Sequence, residues 1–175
     1  MTAPAPTPAQ VATAYWQALE AGDREAALGF VDPTALDSGD PAPFGRAGTY
    51  ASILDWYEAV DWQWRLNECV DFDDGAAKCS VTAGNAWSEV LGVEPVTGIF
   101  IVRFGENGII EVEDQVDNFL AQWGPQVFEV FFDWVTENHP DDAAIMFDFS
   151  VDTNPEILSL YELNTARFVE AQQTE

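Results

Sequence analysis

Near the start of the chain, apolar residues recur at helical spacing and the pattern ends at Gly22. This spacing predicts a first helix that stops there. We expect a short second helix from about Arg24 to Phe30 and a third from about Gly48 to Val60. The Pro-, Gly- and Asp-rich loop between them is long for a compact domain, and such loops often carry function. The apolar positions of the first helix are Val11, Ala12, Tyr15, Trp16 and Leu19.

The pattern becomes strand-like between Trp62 and Asn118. Turn signals at 73–75, 92–95 and 106–108 predict about four long antiparallel strands. Helical spacing then returns, and a last helix is expected to run to about Ala171. Its start is marked by Asn154-Pro155, because Asn caps helices and Pro is favoured at the first helical position. Helices followed by a curved antiparallel sheet predict an α+β fold.

Composition indicates one packed domain. A length of 175 residues suits a single domain. The hydrophobic fraction of 47% and the aromatic fraction of 13% exceed what a disordered acidic chain carries. Only the tail formed by residues 1–8, rich in Pro and Ala, is expected to be disordered.

The charge is strongly negative, with 31 acidic and 6 basic residues and a net charge of −25. Six basic residues cannot neutralise a row of phosphates, and we therefore expect no nucleic-acid partner. An anionic membrane surface would repel the chain for the same reason, so we expect no membrane partner either. The acidity either attracts cations and basic partners or keeps the protein in solution. The N-terminus lacks the features of a signal peptide and no apolar run could span a membrane, so the expected location is cytoplasmic.

Two parts of the chain carry a resemblance to a known superfamily. The run Ala14–Asp23 ends a helix in Gly-Asp and precedes a short helix and an Asp-Pro turn. The second part is Gly98–Phe104, which is followed by a turn and then by Gly108–Glu111. Together the two parts resemble the nuclear transport factor 2-like domains. These include ketosteroid isomerase, limonene epoxide hydrolase, scytalone dehydratase and the SnoaL-type polyketide cyclases. The resemblance implies a cone-shaped, strongly bent sheet over residues 9–120, closed by the N-terminal helices. Residues 121–175 lie beyond the resemblance, and we expect them to form an added helical layer of the same domain.

The resemblance also implies a mostly apolar pocket for a small hydrophobic molecule. It suggests a lyase, isomerase or cyclase that uses carboxylate acid–base chemistry without a cofactor. Tyr15 matches the oxyanion-binding tyrosine of ketosteroid isomerase, and the general base of that enzyme falls at Asp37 or Asp40. Phe100 stands where that enzyme has a second oxyanion group, and residues 84–89 lack the Arg-x-Asp pattern of the epoxide hydrolases. With one His and two Cys in the chain, no metal site is expected.

Asp117 follows the last strand, where cyclases and epoxide hydrolases of this type have a catalytic Asp. Its direction depends on the register of the last hairpin. A two-residue Asn-Gly turn places Asp117 opposite Gly98, on the same face as Phe100, whereas a three-residue loop places it opposite Thr97 on the other face. Asn-Gly favours the first register, and Asp117 is then the candidate acid or base.

Other polar and aromatic side chains are candidate substrate contacts. A strand Asn in a pocket would hold a substrate oxygen, although it could equally serve the sheet edge. The alternative function is a non-catalytic binding or assembly protein whose pocket is filled by its own tryptophans. An open pocket lined by Asp117 and Tyr15 would favour catalysis, and a filled one the alternative. The candidate contacts are Trp56, Asn85 and Trp87, the last two on the predicted third strand, and Phe100.

Two further expectations concern association and the cysteines. Segment 100–102 carries apolar residues on both faces of its strand, and related cones pair through the outer face of the sheet, so we expect a homodimer. A hairpin loop at 73–75 places Cys69 opposite Cys79, within disulfide reach. Because a cytoplasmic protein keeps its thiols reduced, we expect the two cysteines to be close but reduced, with a packing role only.

Overall fold

The computed structural model describes residues 5–31, 49–73, 75–105, 108–116, 119–148 and 153–174. Its first helices are α1 (Pro8–Glu20), α2 (Arg24–Leu28) and α3 (Tyr50–Ala59). Thr7 starts α1 through a capping box, in which its side chain accepts from a backbone N–H one turn later. The three predicted helices are therefore confirmed.

Four antiparallel strands form one sheet in the order β1-β2-β3-β4. The first hairpin turns at Gly75, whose φ of +75° lies in the left-handed region that glycine adopts without steric cost. In the last hairpin, Phe104 pairs with Ile110 and the Gly105 N–H donates to the Ile109 carbonyl, the register expected from a three-residue loop. A bulge between Arg103 and Phe104 then shifts the pairing, so that Phe100 pairs with Gln115 and Val102 with Glu113, the register expected from a two-residue turn. The strands are β1 (Gln63–Asp71), β2 (Ala76–Gly84), β3 (Val96–Phe104) and β4 (Ile110–Gln115).

A short helix, α4 (Ala86–Val90), lies between β2 and β3. The prediction that Asn85 and Trp87 lie on a strand is therefore wrong. The physical reason is a local capping box: the Asn85 side chain accepts from the Ser88 N–H at 3.1 Å, and the Ser88 Oγ accepts from the Asn85 N–H at 3.0 Å. These bonds close a helical turn where strand propensity alone would continue β2.

The C-terminal part is helical. It consists of α5 (Phe119–Trp123), a π-helical turn (Gly124–Phe128), α6 (Glu129–Asn138), α7 (Pro140–Met146) and α8 (Pro155–Gln173). Asn154 caps α8 as predicted, because its Oδ1 accepts from two backbone N–H groups of the first turn. Helix α8 packs against α3 and α4. Side chains from the N-terminal helices, the sheet and α8 share one hydrophobic core.

The sheet has one core-facing and one outer face. Strand alternation places Trp64, Val81 and Phe100 in the core. The opposite, outer face carries three of the six basic residues of the chain, all exposed: Arg65, Lys78 and Arg103.

Cys69 and Cys79 pair across β1 and β2 as predicted, with their Cα atoms 4.1 Å apart. The expectation that they are reduced is wrong for this structure, in which a disulfide joins them. That expectation relied on the assumed compartment, whereas directly opposed cysteines on paired strands lie within covalent reach.

Candidate ligand-binding site

The predicted oxyanion group, Tyr15, lies on α1 with 3% of its surface exposed. Its ring centroid is 5.2 Å from that of Trp16 and 6.2 Å from that of Phe30. Phe100 on β3 is also buried, and its ring contacts Trp16 and Trp64. Tyr15 and Phe100 therefore pack in the same aromatic core, and neither lines either of the two clefts described below.

Trp87 and Trp56 are core residues too. Trp87 is fully buried and stacks on Phe131 with the ring centroids 3.8 Å apart. Its Nε1 donates to the Thr165 Oγ1 at 3.0 Å. Trp56 contacts the rings of Trp62 and Trp87. The predicted aromatic contacts thus pack against other aromatic rings in the core.

The candidate carboxylates Asp37, Asp40 and Asp117 lie outside the described residues. The register that favours an inward Asp117 is confirmed up to residue 116, whose N–H donates to the Ile99 carbonyl at 3.0 Å. Among the described side chains no carboxylate is buried. The buried polar side chains that are described carry only hydroxyl and amide groups.

Among the residues that the structure describes, four core tryptophans carry an indole N–H without a hydrogen-bond partner: Trp16, Trp62, Trp64 and Trp123. Their rings form a chain of contacts, with centroids 5.3 Å apart between Trp16 and Trp64, 5.6 Å between Trp64 and Trp62, and 5.0 Å between Trp62 and Trp123. An unpaired buried donor costs about 1–3 kcal/mol, so buried polar groups in folded proteins are nearly always paired. These indole N–H groups are therefore donors that a hydrogen-bond acceptor of a ligand would satisfy.

A cleft of about 560 Å³ opens beside this cluster, and we call it the tryptophan cleft. It lies between α1, α3 and the start of β1. Trp62 and Trp64 form its wall, and each is 8% exposed. Apolar residues dominate the rest of the lining, and charged residues complete it. The other lining residues are Ala18, Leu19, Gly22, Arg24, Leu54, Tyr57, Glu58 and Asp61.

A second cleft, of about 610 Å³, lies at the end of the β1–β2 pair, and we call it the asparagine cleft. Asn85 lines it, together with Trp64, which the two clefts share. Asn85 is 5% exposed, and its Nδ2 is buried without a hydrogen-bond partner. The expected substrate contact Asn85 is thus placed in a cleft, although not in the one that Trp62 borders.

Within the described ranges, no three His, Cys, Asp or Glu side chains come together in a way that could hold a metal ion. No described helix is long and apolar enough to cross a membrane.

No protein-family model matches the sequence, and no curated protein is significantly similar to it. Solved structures do match. A candidate polyketide cyclase from Pseudomonas putida KT2440 is 21% identical with a TM-score of 0.51, over 70% of this chain and 99% of the other. A nuclear transport factor 2-like protein of unknown function from Cytophaga hutchinsonii is 11% identical with a TM-score of 0.50, over 70% of this chain and 99% of the other. The chain has the nuclear transport factor 2-like fold.

A third match is a Mycobacterium tuberculosis protein in complex with estradiol-17β-hemisuccinate. It is 16% identical with a TM-score of 0.51, over 65% of this chain and 95% of the other. At such identities these matches show the nuclear transport factor 2-like fold alone.

The sequence did not predict the unpaired indole N–H groups that this nuclear transport factor 2-like fold buries. The signal it could have used is the pair Trp62 and Trp64, whose spacing of two puts both on one face of a strand. Trp16 and Trp123, in contrast, come from two helices that are distant in sequence.

Proposed function

We propose that the protein binds a small apolar molecule in the tryptophan cleft and that a hydrogen-bond acceptor of this molecule pairs with the indole N–H of Trp62 or Trp64. The observation that carries this proposal is that both side chains line the cleft while their Nε1 atoms lack partners. A carbonyl oxygen would satisfy a donor that otherwise stays unpaired.

The ligand is neutral in this proposal. The net charge of −25 repels anions at long range. A neutral ketone, ester or lactone supplies the acceptor without that penalty. Because both Nε1 atoms are shielded from solvent, a lining side chain shifts as the ligand enters.

The relatives support a binding role for this fold. The M. tuberculosis protein was solved in complex with estradiol-17β-hemisuccinate, in which an apolar steroid body carries an acyl chain with carbonyl and carboxyl oxygens. We extend to this chain the class of small hydrophobic ligand and not that compound. We also propose that the sheet is bent into the cone of this superfamily, that residues 9–120 form it, and that residues 121–175 add a helical layer to the same domain.

The second candidate is a cofactor-independent lyase, isomerase or cyclase, or an epoxide hydrolase-like enzyme. The register of β3 and β4 supports it, because a strand continued in the register of the Phe100–Gln115 pair would bring position 117 opposite the buried Gly98. Asp117 would then be the acid or base, Tyr15 and Asn85 would orient the substrate, and Asp40 would be the alternative general base. The burial of Tyr15 among aromatic rings, away from both clefts, favours the binding role instead.

The binding proposal is tested with two probes of nearly equal shape, 2-acetylnaphthalene and 2-ethylnaphthalene, in calorimetric titrations. Only the first offers an acceptor. Trp62→Phe and Trp64→Phe keep an aromatic ring and remove the N–H. At least one of these variants should bind the ketone about 5- to 10-fold more weakly, which corresponds to the loss of one hydrogen bond. Its affinity for the hydrocarbon should stay within about twofold of that of the unaltered protein.

The matched control is Trp134→Phe, because Trp134 lies on α6 outside both clefts. It should change neither affinity. Equal binding of the two probes to the unaltered protein, or no binding of either, would contradict the proposal.

A further inference from the structure

The asparagine cleft differs from the tryptophan cleft in its chemistry. It is formed by the end of α1, the start of β1, the end of β2, α4 and the turn at 92–95. Its lining is more polar than that of the tryptophan cleft, and only Trp64 is common to both clefts. The function proposed above does not use this second cleft.

Asn85 provides a fixed hydrogen-bond donor in the cleft lining. Its Oδ1 must accept from the Ser88 N–H at 3.1 Å to cap α4, and this requirement determines which side of the amide is oxygen. The Nδ2 is therefore held on the other side, where it is buried without a partner. Such a donor points to an acceptor that a ligand brings.

The charges of the cleft favour a cation. Glu20, Glu89 and Glu94 line it, and Arg65 is the one basic residue among its lining residues. None of these four side chains takes part in the ion pairs formed within the described residues, which join Arg24 to Asp55 and Arg167 to Asp142. The exposed carboxylates thus surround a lining that contains the buried, unpaired donor Nδ2 of Asn85.

We propose that the asparagine cleft binds a small organic cation that carries an acyl oxygen, such as a mono-acylated diamine. Its ammonium group pairs with the carboxylates of Glu20, Glu89 and Glu94, and its carbonyl accepts from the Asn85 Nδ2. The net charge of −25 raises the local concentration of such cations. Because the Nδ2 is shielded, the ligand displaces side chains of the lining to reach it.

The first test compares three probes on the unaltered protein by calorimetric titration at low ionic strength. N-acetylputrescine has both features, hexylamine has the charge without the carbonyl, and N-pentylacetamide has the carbonyl without the charge. N-acetylputrescine should bind at least fivefold more tightly than either comparator. Equal affinities of N-acetylputrescine and hexylamine would overturn the role of Asn85, and the absence of binding would overturn the site.

The second test separates the cleft from the general acidity of the protein. The substitutions Glu89→Gln and Glu94→Gln should each lower the affinity for N-acetylputrescine about 3- to 10-fold. Glu170→Gln makes the same charge change at an exposed position of α8 outside the cleft and should leave the affinity within 1.5-fold. An equal loss in all three variants would show that the net charge alone attracts the probe.

The third test removes the donor and keeps the helix cap. Asn85→Asp retains an oxygen for the Ser88 N–H, and Asp is as good a cap as Asn, so α4 should form. The preference for N-acetylputrescine over hexylamine should then disappear, while 2-acetylnaphthalene binding stays unchanged. A preference that survives in this variant would contradict the assignment of Asn85, and the naphthalene probe reports separately on the tryptophan cleft.

Discussion

The Nε1 of Trp87 on α4 donates to the Oγ1 of Thr165 on α8 at 3.0 Å, and this bond links residues 78 positions apart. It is a buried side-chain bond that joins α4, the helix between β2 and β3, to the C-terminal helix. The ring of Trp87 also stacks on that of Phe131, which links α4 to α6 through aromatic packing. The C-terminal helices are thus fixed to the core by a tryptophan that was predicted to contact substrate.

Removing the acceptor of this bond should destabilise the protein. Thr165→Val keeps the side-chain shape and leaves the Trp87 N–H unpaired, so the free energy of unfolding should fall by about 1–2 kcal/mol. Urea denaturation measures this change. Thr136→Val removes a hydroxyl from an exposed helical position and should change stability by less than about 0.5 kcal/mol. Equal effects of the two changes would show that the bond contributes nothing specific.

The disulfide between Cys69 and Cys79 should stabilise the β1–β2 hairpin. Closing a loop of 10 residues restricts the unfolded chain, which is worth about 2–3 kcal/mol in the chain-entropy model. Dithiothreitol should therefore lower the melting temperature of the native protein and leave that of a Cys69→Ala, Cys79→Ala double variant unchanged.

Thiol counting under denaturing, non-reducing conditions checks the same bond. No free thiols should be found, whereas two per chain would agree with the sequence-based expectation of a reduced pair. A stable disulfide is also typical of an oxidising compartment, so this count bears on the expected cytoplasmic location.

We propose that the outer face of the sheet forms a homodimer, with the half-buried Ile99 near its centre. Ile99 lies on the face that carries Arg65, Lys78 and Arg103. Sedimentation at micromolar concentration and moderate salt should give the mass of a dimer, and Ile99→Lys should give a monomer because it buries a charge. Leu163→Lys, at an exposed position of α8, should remain a dimer. A monomeric native protein would contradict the proposal.

The catalytic candidate is tested at Asp117. A thermal-shift screen of hydrophobic ketones, epoxides and enoates first identifies compounds that bind the folded protein. If one of them is converted, Asp117→Asn should lower turnover at least about 100-fold and keep the melting temperature, because the shape remains and the titrating group is lost. Asp133→Asn, at an exposed position of α6, is the control. Unchanged turnover in Asp117→Asn would remove this residue from the mechanism.

Much of the fold follows from local signals. The cap at Asn154, the turn at Gly75 and the pairing of Cys69 with Cys79 depend on a few neighbouring residues, and each is confirmed. Helix α4 was missed because five residues are too few to show a helical period. Its capping box uses Ser88 at the position where Glu or Gln is the usual signal.

The candidate site was less predictable for a different reason. The unpaired state of the Trp62 and Trp64 N–H groups depends on which acceptors the tertiary structure brings near them. Composition and spacing indicate that tryptophans are buried, and they do not indicate how the indole nitrogens are paired. The resemblance to catalytic relatives directed attention to Tyr15, which the structure packs between aromatic rings.

The most direct test of the proposed binding role observes the indole N–H groups themselves. In ¹⁵N-labelled protein, the Nε1–H signals of Trp62 and Trp64 are assigned with the Phe variants and followed during titration. With 2-acetylnaphthalene, at least one of the two proton signals should move downfield as it gains an acceptor, while 2-ethylnaphthalene should cause no downfield shift. Saturating ketone that leaves both signals in place, or the same shift with both probes, would contradict the account.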